Sequence, residues 1–305
     1  MNPSKGVFPE VGWGSETAFM RFYAGVSSAK AEELRAFRSR WPERSLHAGR
    51  HEWRYRLIAA NKRGPVLLLL PGAEMVNDLG FGFAEAMREA EWTVLYPGYP
   101  RVFAIDELAA GVAAVLDAEK IADCAVLGGS FGGAVAQVVV RRFPGRVRSL
   151  ILSNTGVPMR NLVAAQLAAL SIFKITPWPG ICALLRSSLT KLLNPPAQDR
   201  EFWRAYFDEL LTARLAKADF LANIGQQLEY HRRFRFAPGD LADWSGRVLI
   251  AESDTDVIGP RRRRALRETY PQAEVCTYHD AGHAPMFSRP REYLDMVKRF
   301  LEQET

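Results

Sequence analysis

Three residue types in this sequence could act together: a serine among glycines, a histidine in a small-residue loop, and a carboxylate in a turn. The serine is Ser130, in Gly128-Gly129-Ser130-Phe131-Gly132, a G-x-S-x-G arrangement. Before it, Cys124-Ala125-Val126-Leu127 reads as a strand. After it, Gly133 to Phe143 reads as a buried helix ended by Pro144. A serine on so sharp a strand-to-helix turn lifts its Oγ above the sheet. Such a turn tolerates only small neighbours, and glycines at 128, 129, 132 and 133 supply them. The chemistry this suits is nucleophilic acyl transfer. The plainer alternative is a glycine-rich turn with an incidental serine, and the flanking strand and helix count against it.

A serine hydroxyl is a weak nucleophile at neutral pH. It needs a base to take its proton, and the base needs an anion to fix its tautomer. Of the five histidines, His47 and His51 precede the expected core sheet, and His231 lies in a helical region beside arginines. His279 and His283 follow the last predicted strand. His283, in Asp280-Ala281-Gly282-His283-Ala284-Pro285, occupies a loop from which a ring can reach across the sheet edge. The acid is expected in the turn Glu252 to Pro260, where Asp254 and Asp256 compete. Asp256 is preferred, which leaves Asp254 as a turn residue bonding its own backbone. The resulting order is Ser130, Asp256, His283. A tetrahedral oxyanion needs two further donors. One is the backbone N–H of Phe131. The other is expected from Pro71-Gly72-Ala73-Glu74, with Ala73 chosen over Glu74.

The elements that must position these groups follow from the apolar pattern. A helix is predicted from Ser28, its N-cap, through Phe37. Trp53, Tyr55 and Leu57 alternate with polar residues, as in a half-exposed strand. Val66 to Leu70 is a continuous apolar run, too short for a helix and suited to a strand buried on both faces. Further strands are predicted over 93–96, 124–127, 149–153, 247–251 and 274–278, with helices over 81–90, 105–119, 261–270 and 290–302. Strands alternating with helices imply right-handed crossovers and a mainly parallel sheet. The rhythm stops between Pro158 and Trp244, a segment rich in Leu, Ala, Phe and Trp, read as an inserted helical cap. The expected division is a core of residues 1–157 and 245–305, with 1–50 as an N-terminal extension, and a cap of 158–244.

Composition excludes several classes. At 305 residues and 48% hydrophobic content, the chain suits one core plus a cap. Cys124, Cys182 and Cys276 are far apart, which argues against a disulfide framework or zinc site and for a reducing compartment such as the cytoplasm. No His/Cys/carboxylate cluster has ligand spacing, so neither a metal nor a cofactor is expected. Residues 1–16 contain no apolar stretch of the signal-peptide kind. Leu162 to Leu185 is the most apolar long segment. It is broken by Lys174, Pro177 and Pro179, so no stable membrane anchor is expected, and Ala-rich cap packing accounts for it more simply than a membrane surface. The net charge of +6 is clustered locally, at 141–142, 232–233 and 261–264. These runs read as solvated faces, without the aromatic interleaving that nucleic-acid binding would need.

On these motifs the chain resembles the α/β-hydrolase fold family from about residue 50 onwards. The carrying pieces are Val66–Leu70 with Pro71-Gly72, the Gly128–Gly133 elbow, Ser149–Asn154, the Asp254/Asp256 turn and Gly282-His283. The resemblance implies an eight-stranded, mostly parallel sheet with helices on both faces and hydrolysis of an ester, amide or related bond. Phe37 to Pro42, Trp53-Arg54-Tyr55 and Leu70-Pro71-Gly72 are similar to the maspardin-like branch, which includes members suspected of binding rather than catalysis; His283 departs from such members. The Gly-Gly-Ser elbow is also similar to that of prolyl aminopeptidases. Three functions follow as expectations. The first is a carboxylesterase-like or lactonase-like serine hydrolase working through an acyl-enzyme. The second is an aminopeptidase using a cap carboxylate (Asp199, Glu201, Asp208 or Glu209) to hold an α-amine. The third is a non-catalytic binding protein. A small, apolar substrate is expected, with Phe173, Trp178, Phe202, Trp203, Tyr206, Phe207 and Phe220 as candidates for its wall, and a second copy of the chain as a candidate partner.

Overall fold

The computed structural model of the chain describes residues 16–26, 28–60 and 64–303. The first fifteen residues, nearly all of the segment tested above for a leader, lie outside them. The strands are β1 (Arg44–Ala48), β2 (His51–Ile58), β3 (Val66–Leu70), β4 (Thr93–Pro97), β5 (Cys124–Gly129), β6 (Val147–Ser153), β7 (Arg247–Ser253) and β8 (Glu274–Tyr278). They form one eight-stranded sheet in the order β1-β2-β4-β3-β5-β6-β7-β8. β2 runs antiparallel to β1 and β4, and every other pairing is parallel. The chain is therefore an α/β protein of the α/β-hydrolase architecture.

The central strands are where the apolar runs placed them. Leu67 to Leu70 and Cys124 to Leu127 are buried on both faces of the sheet. Each such leucine contributes roughly 1.5–3 kcal/mol relative to exposure. Helix α3 (Phe81–Glu89) follows β3, α4 (Ile105–Ala118) follows β4, and α5 (Phe131–Arg142) follows β5. In α5, Phe131 to Val140 is buried throughout, because it lies between the sheet and its neighbours. Helix α10 (Gly259–Thr269) precedes β8, and the short α11 (Pro285–Ser288) and then α12 (Pro290–Glu302) end the described chain.

Two expectations need correction near the N-terminus. β1 lies inside the 1–50 extension and forms one edge of the sheet. Consequently His47 sits in β1 and His51 in β2, not ahead of the sheet. The extension also carries α1 (Glu16–Tyr23) and α2 (Ala29–Arg40), whose Tyr23, Leu34 and Phe37 enter the main hydrophobic core. Ser28 caps α2 as expected, accepting the Lys30 N–H at 3.3 Å.

Between β6 and β7 lie α6 (Val163–Ile175), α7 (Trp178–Leu193), α8 (Arg200–Glu209), a π-helical turn (Leu210–Arg214) and α9 (Lys217–Arg233). A buried charge network joins them to the extension. Arg38 Nε donates to Asp78 at 2.9 Å, while its two Nη atoms donate to the Glu209 carboxylate at 2.8 and 3.0 Å. Tyr206 donates to Asp78 at 2.6 Å, Tyr23 donates to Glu209 at 2.7 Å, and Arg214 lies 3.0 Å from Asp78. Burial alone would raise the Asp78 carboxyl, but Arg214, Arg38 and Arg56 outweigh it and hold it well below the usual carboxylate range. Phe202, Trp203, Tyr206 and Phe207, offered above as a substrate wall, are fully buried core residues packed beside this network. Their helical spacing could not show which surface they meet.

Candidate active site

Ser130 ends β5 and begins α5 with φ 51° and ψ −119°, a backbone state that few residues other than glycine adopt readily. Two bonds fix it there. Its N–H donates to the Ser153 carbonyl at 2.9 Å, and the Thr155 hydroxyl donates to its carbonyl at 2.7 Å. The elbow also needs its glycines sterically. A Cβ at Gly128 would overlap the Gly132 carbonyl, and one at Gly132 would overlap the carbonyls of Leu70 and Pro71. That second contact places the loop after β3 directly against the start of α5.

Two further groups converge on the serine. His283 Nε2 lies 2.9 Å from Ser130 Oγ, and His283 Nδ1 lies 2.6 Å from Asp256 Oδ1. With its Nδ1 proton given to the carboxylate, the ring presents the Nε2 lone pair to the hydroxyl. The Asp256 side chain has no solvent exposure. It also accepts the Ile258 N–H at 3.0 Å and the Asn154 side-chain amide at 2.9 Å. The same amide reaches the Gly282 carbonyl at 3.4 Å, which ties the acid's support to the histidine's loop.

Asp254 is elsewhere. Its Oδ2 pairs with His279 Nδ1 at 2.7 Å, and its Oδ1 accepts the Asp280 N–H at 3.0 Å. It thus bonds the loop after β8 as well as the Thr255 backbone of its own turn. The two bonds to that loop hold its carboxyl below the usual value, in an exposed position. Phe131 is buried as the first residue of α5, and Ala73 stands exposed in the turn after β3 that Met75 N–H closes onto the Gly72 carbonyl at 3.2 Å. The Glu74 carboxylate accepts the Gly72 N–H at 2.8 Å, and burial pushes its pKa up.

The remaining candidates have other occupations. His231 is buried and accepts the Met159 N–H at Nδ1, 3.1 Å away, while burial and then Arg262 push its pKa down to about 4. Arg262, within the run read above as a solvated face, is itself half-buried against Gly156. Three of the four carboxylates considered for an α-amine face cations: Glu209 with Arg38, Asp208 with Arg186 at 2.5 Å, and Asp199 with Lys30 at 3.9 Å. Sequence reasoning did not single out Asn154 and Thr155 as parts of the site. Asn154 lies 102 positions from its carboxylate partner, so in the sequence only its place directly after the predicted strand 149–153 could have hinted at a role.

Residues 45–296 match the model of the alpha/beta hydrolase family. This chain belongs to that family. It is a hydrolase of the alpha/beta class. Among its curated relatives, a pimeloyl-[acyl-carrier protein] methyl ester esterase of Aeromonas hydrophila is 25% identical over 267 residues, covering 78% of this chain and 96% of that protein. An sn-1-specific diacylglycerol lipase of Mus musculus is 24% identical over 185 residues, covering 58% and 59%. Among solved structures, a hydrolase from Pseudomonas aeruginosa superposes with a TM-score of 0.71 at 18% identity, over 85% of this chain and 98% of that one.

Proposed function

We propose that the chain cleaves carboxylic esters through an acyl-enzyme on Ser130. The observation that carries this reading is the unbroken relay from Ser130 Oγ through both nitrogens of His283 to a buried carboxylate. His283 Nε2 takes the hydroxyl proton as Oγ attacks the acyl carbon. The resulting imidazolium is held by Asp256, then gives its proton to the departing alkoxide. Water enters, His283 takes one of its protons, and the acid leaves as Ser130 is restored. The amides of Phe131 and Ala73 are the donors to the tetrahedral oxyanion; such a pair lowers the barrier by several kcal/mol, on the order of 3–4 for each donor.

The helical insertion, residues 158–244, is proposed as the cap that selects the substrate. The support is that α7 ends at the site: Asn194 follows it and lies beside Gly282, the neighbour of His283. Esters are favoured over aminoacyl substrates because three of the four cap carboxylates named above are engaged by arginine or lysine. The names of two relatives, a methyl ester esterase and a lipase, point the same way.

The test is a fluorophosphonate probe together with a panel of p-nitrophenyl esters, lactones and amino-acid arylamides. Wild type should be labelled at Ser130 and should turn over esters. Ser130→Ala should lose labelling and at least about ten-thousand-fold in rate. A folded wild-type protein that resists the probe would overturn the proposal.

A further inference from the structure

Helix α6 has the composition of a core helix and the exposure of a surface one. Its residues are Val-Ala-Ala-Gln-Leu-Ala-Ala-Leu-Ser-Ile-Phe-Lys-Ile, and none of them is buried. One side meets α9, where the rings of Phe173 and Phe220 stand 5.1 Å apart. At 100° per residue, the solvent side carries Ala164, Leu167, Ala168, Ser171, Ile172 and Ile175, all exposed, with Lys174 at its margin. Ile175 is 84% exposed and Ile172 57%; on α7, Leu184 is 54% exposed. An apolar helix that packs on one side only leaves a face that water does not favour. The Ala-rich packing expected above accounts only for the side against α9.

The charge around this face selects what covers it. Between Asp123 and Asp199 the sequence contains no Asp or Glu. On the arm formed by α6 and α7 the charged residues are Lys174, Arg186 and Lys191, with Arg160 just before α6; Arg186 is paired with Asp208 of α8. A second copy of the chain would form a self-complementary contact that sets Lys174 and Lys191 against their own equivalents, with no carboxylate on α6 or α7 to answer them. A surface both apolar and anionic matches the arm. Exposed aliphatic side chains flanked by Lys and Arg are what an interfacial helix presents to acidic lipid headgroups.

We propose that the outer side of α6, with the neighbouring part of α7, docks on an anionic lipid bilayer. Among the described residues no helix is long and apolar enough to cross one, so the arm lies on the surface. One end of the arm stands at the site, because α7 ends beside Gly282. The inference does not rest on the proposed ester hydrolysis, because binding requires no turnover.

Sedimentation of the full chain with phosphatidylcholine vesicles, with and without phosphatidylglycerol, tests it. Wild type should bind the mixed vesicles at least tenfold more tightly than phosphatidylcholine alone, and 0.5 M salt should weaken that binding several-fold. Ile172→Asp/Ile175→Asp should lose at least tenfold while keeping the wild-type Tm. Leu167→Ser and Lys174→Glu, each alone, should lose several-fold. Ser130→Ala should bind as wild type does. Equal binding to neutral and anionic vesicles would overturn the proposal, as would retention of binding in the double variant. A wild-type dimer that becomes monomeric in the double variant, with no vesicle binding, would assign the face to a second copy instead.

Discussion

Two Asp–His pairs stand at the carboxyl edge of this sheet. Asp256–His283 and Asp254–His279 have contact distances of 2.6 and 2.7 Å, and their acids are two residues apart in one turn. As isolated pairs they are chemically alike. Their surroundings separate them. The side chains of the first pair are 0% and 13% exposed, and those of the second are 41% and 84%. The first acid takes two further hydrogen bonds, and its histidine has a hydroxyl on the far nitrogen. The second histidine faces water. An exposed ion pair is worth little, since solvent competes for both partners. Burial lets the same contact hold a ring in one orientation.

The comparison can be broken most decisively at the buried acid. Asp256→Asn keeps the shape but favours the wrong histidine tautomer. It should lower kcat on a p-nitrophenyl ester by about ten-thousand-fold with little change in KM. Asn154→Ala removes one donor to Asp256 and its tie to the Gly282 carbonyl. A fall in kcat of about ten- to a hundred-fold is expected, smaller because Ile258 N–H still holds the carboxylate.

His231 sharpens the contrast, being buried beside a guanidinium rather than a carboxylate. Its depressed pKa means that the unfolded chain takes up a proton near pH 6.5 and the folded one only near 4. Stability is therefore complete above 6.5 and falls as the pH drops to about 4. The loss is on the order of 1–2 kcal/mol once solvent screening is allowed for. Chemical denaturation across that range should show the slope in wild type and a flatter one in His231→Gln. The smallest effects belong to the exposed pair. Asp254→Asn and His279→Ala should each leave kcat/KM within twofold and stability within about 0.5 kcal/mol. A large loss from either would dissolve the distinction drawn between the pairs.

Much of this was legible in the sequence, for reasons that differ by residue. Leu67 to Leu70 read as a buried strand because nothing else accommodates such a short apolar run. Ser130 was legible because the glycines around it meet a steric demand. His283 was legible by exclusion among five histidines. The preference for Asp256 over Asp254 could not be made firm from spacing, because it depends on the Asn154 amide and the Ile258 N–H. β1 was missed because Arg44 to Ala48 is largely exposed and is defined by its pairing with β2 alone. The aromatics of α8 could not be assigned, because the core that buries them includes residues from the far N-terminus.

The backbone at position 130 has a practical consequence for anyone improving this protein. Glycine would occupy that φ and ψ without penalty, so Ser130→Gly should melt slightly higher than the parent, by the fraction of a kcal/mol to about 2 kcal/mol that such conformations cost. A selection run on heat resistance alone would therefore reward a change that removes the proposed nucleophile. Any library built on this scaffold has to be sorted by turnover first and by melting point second.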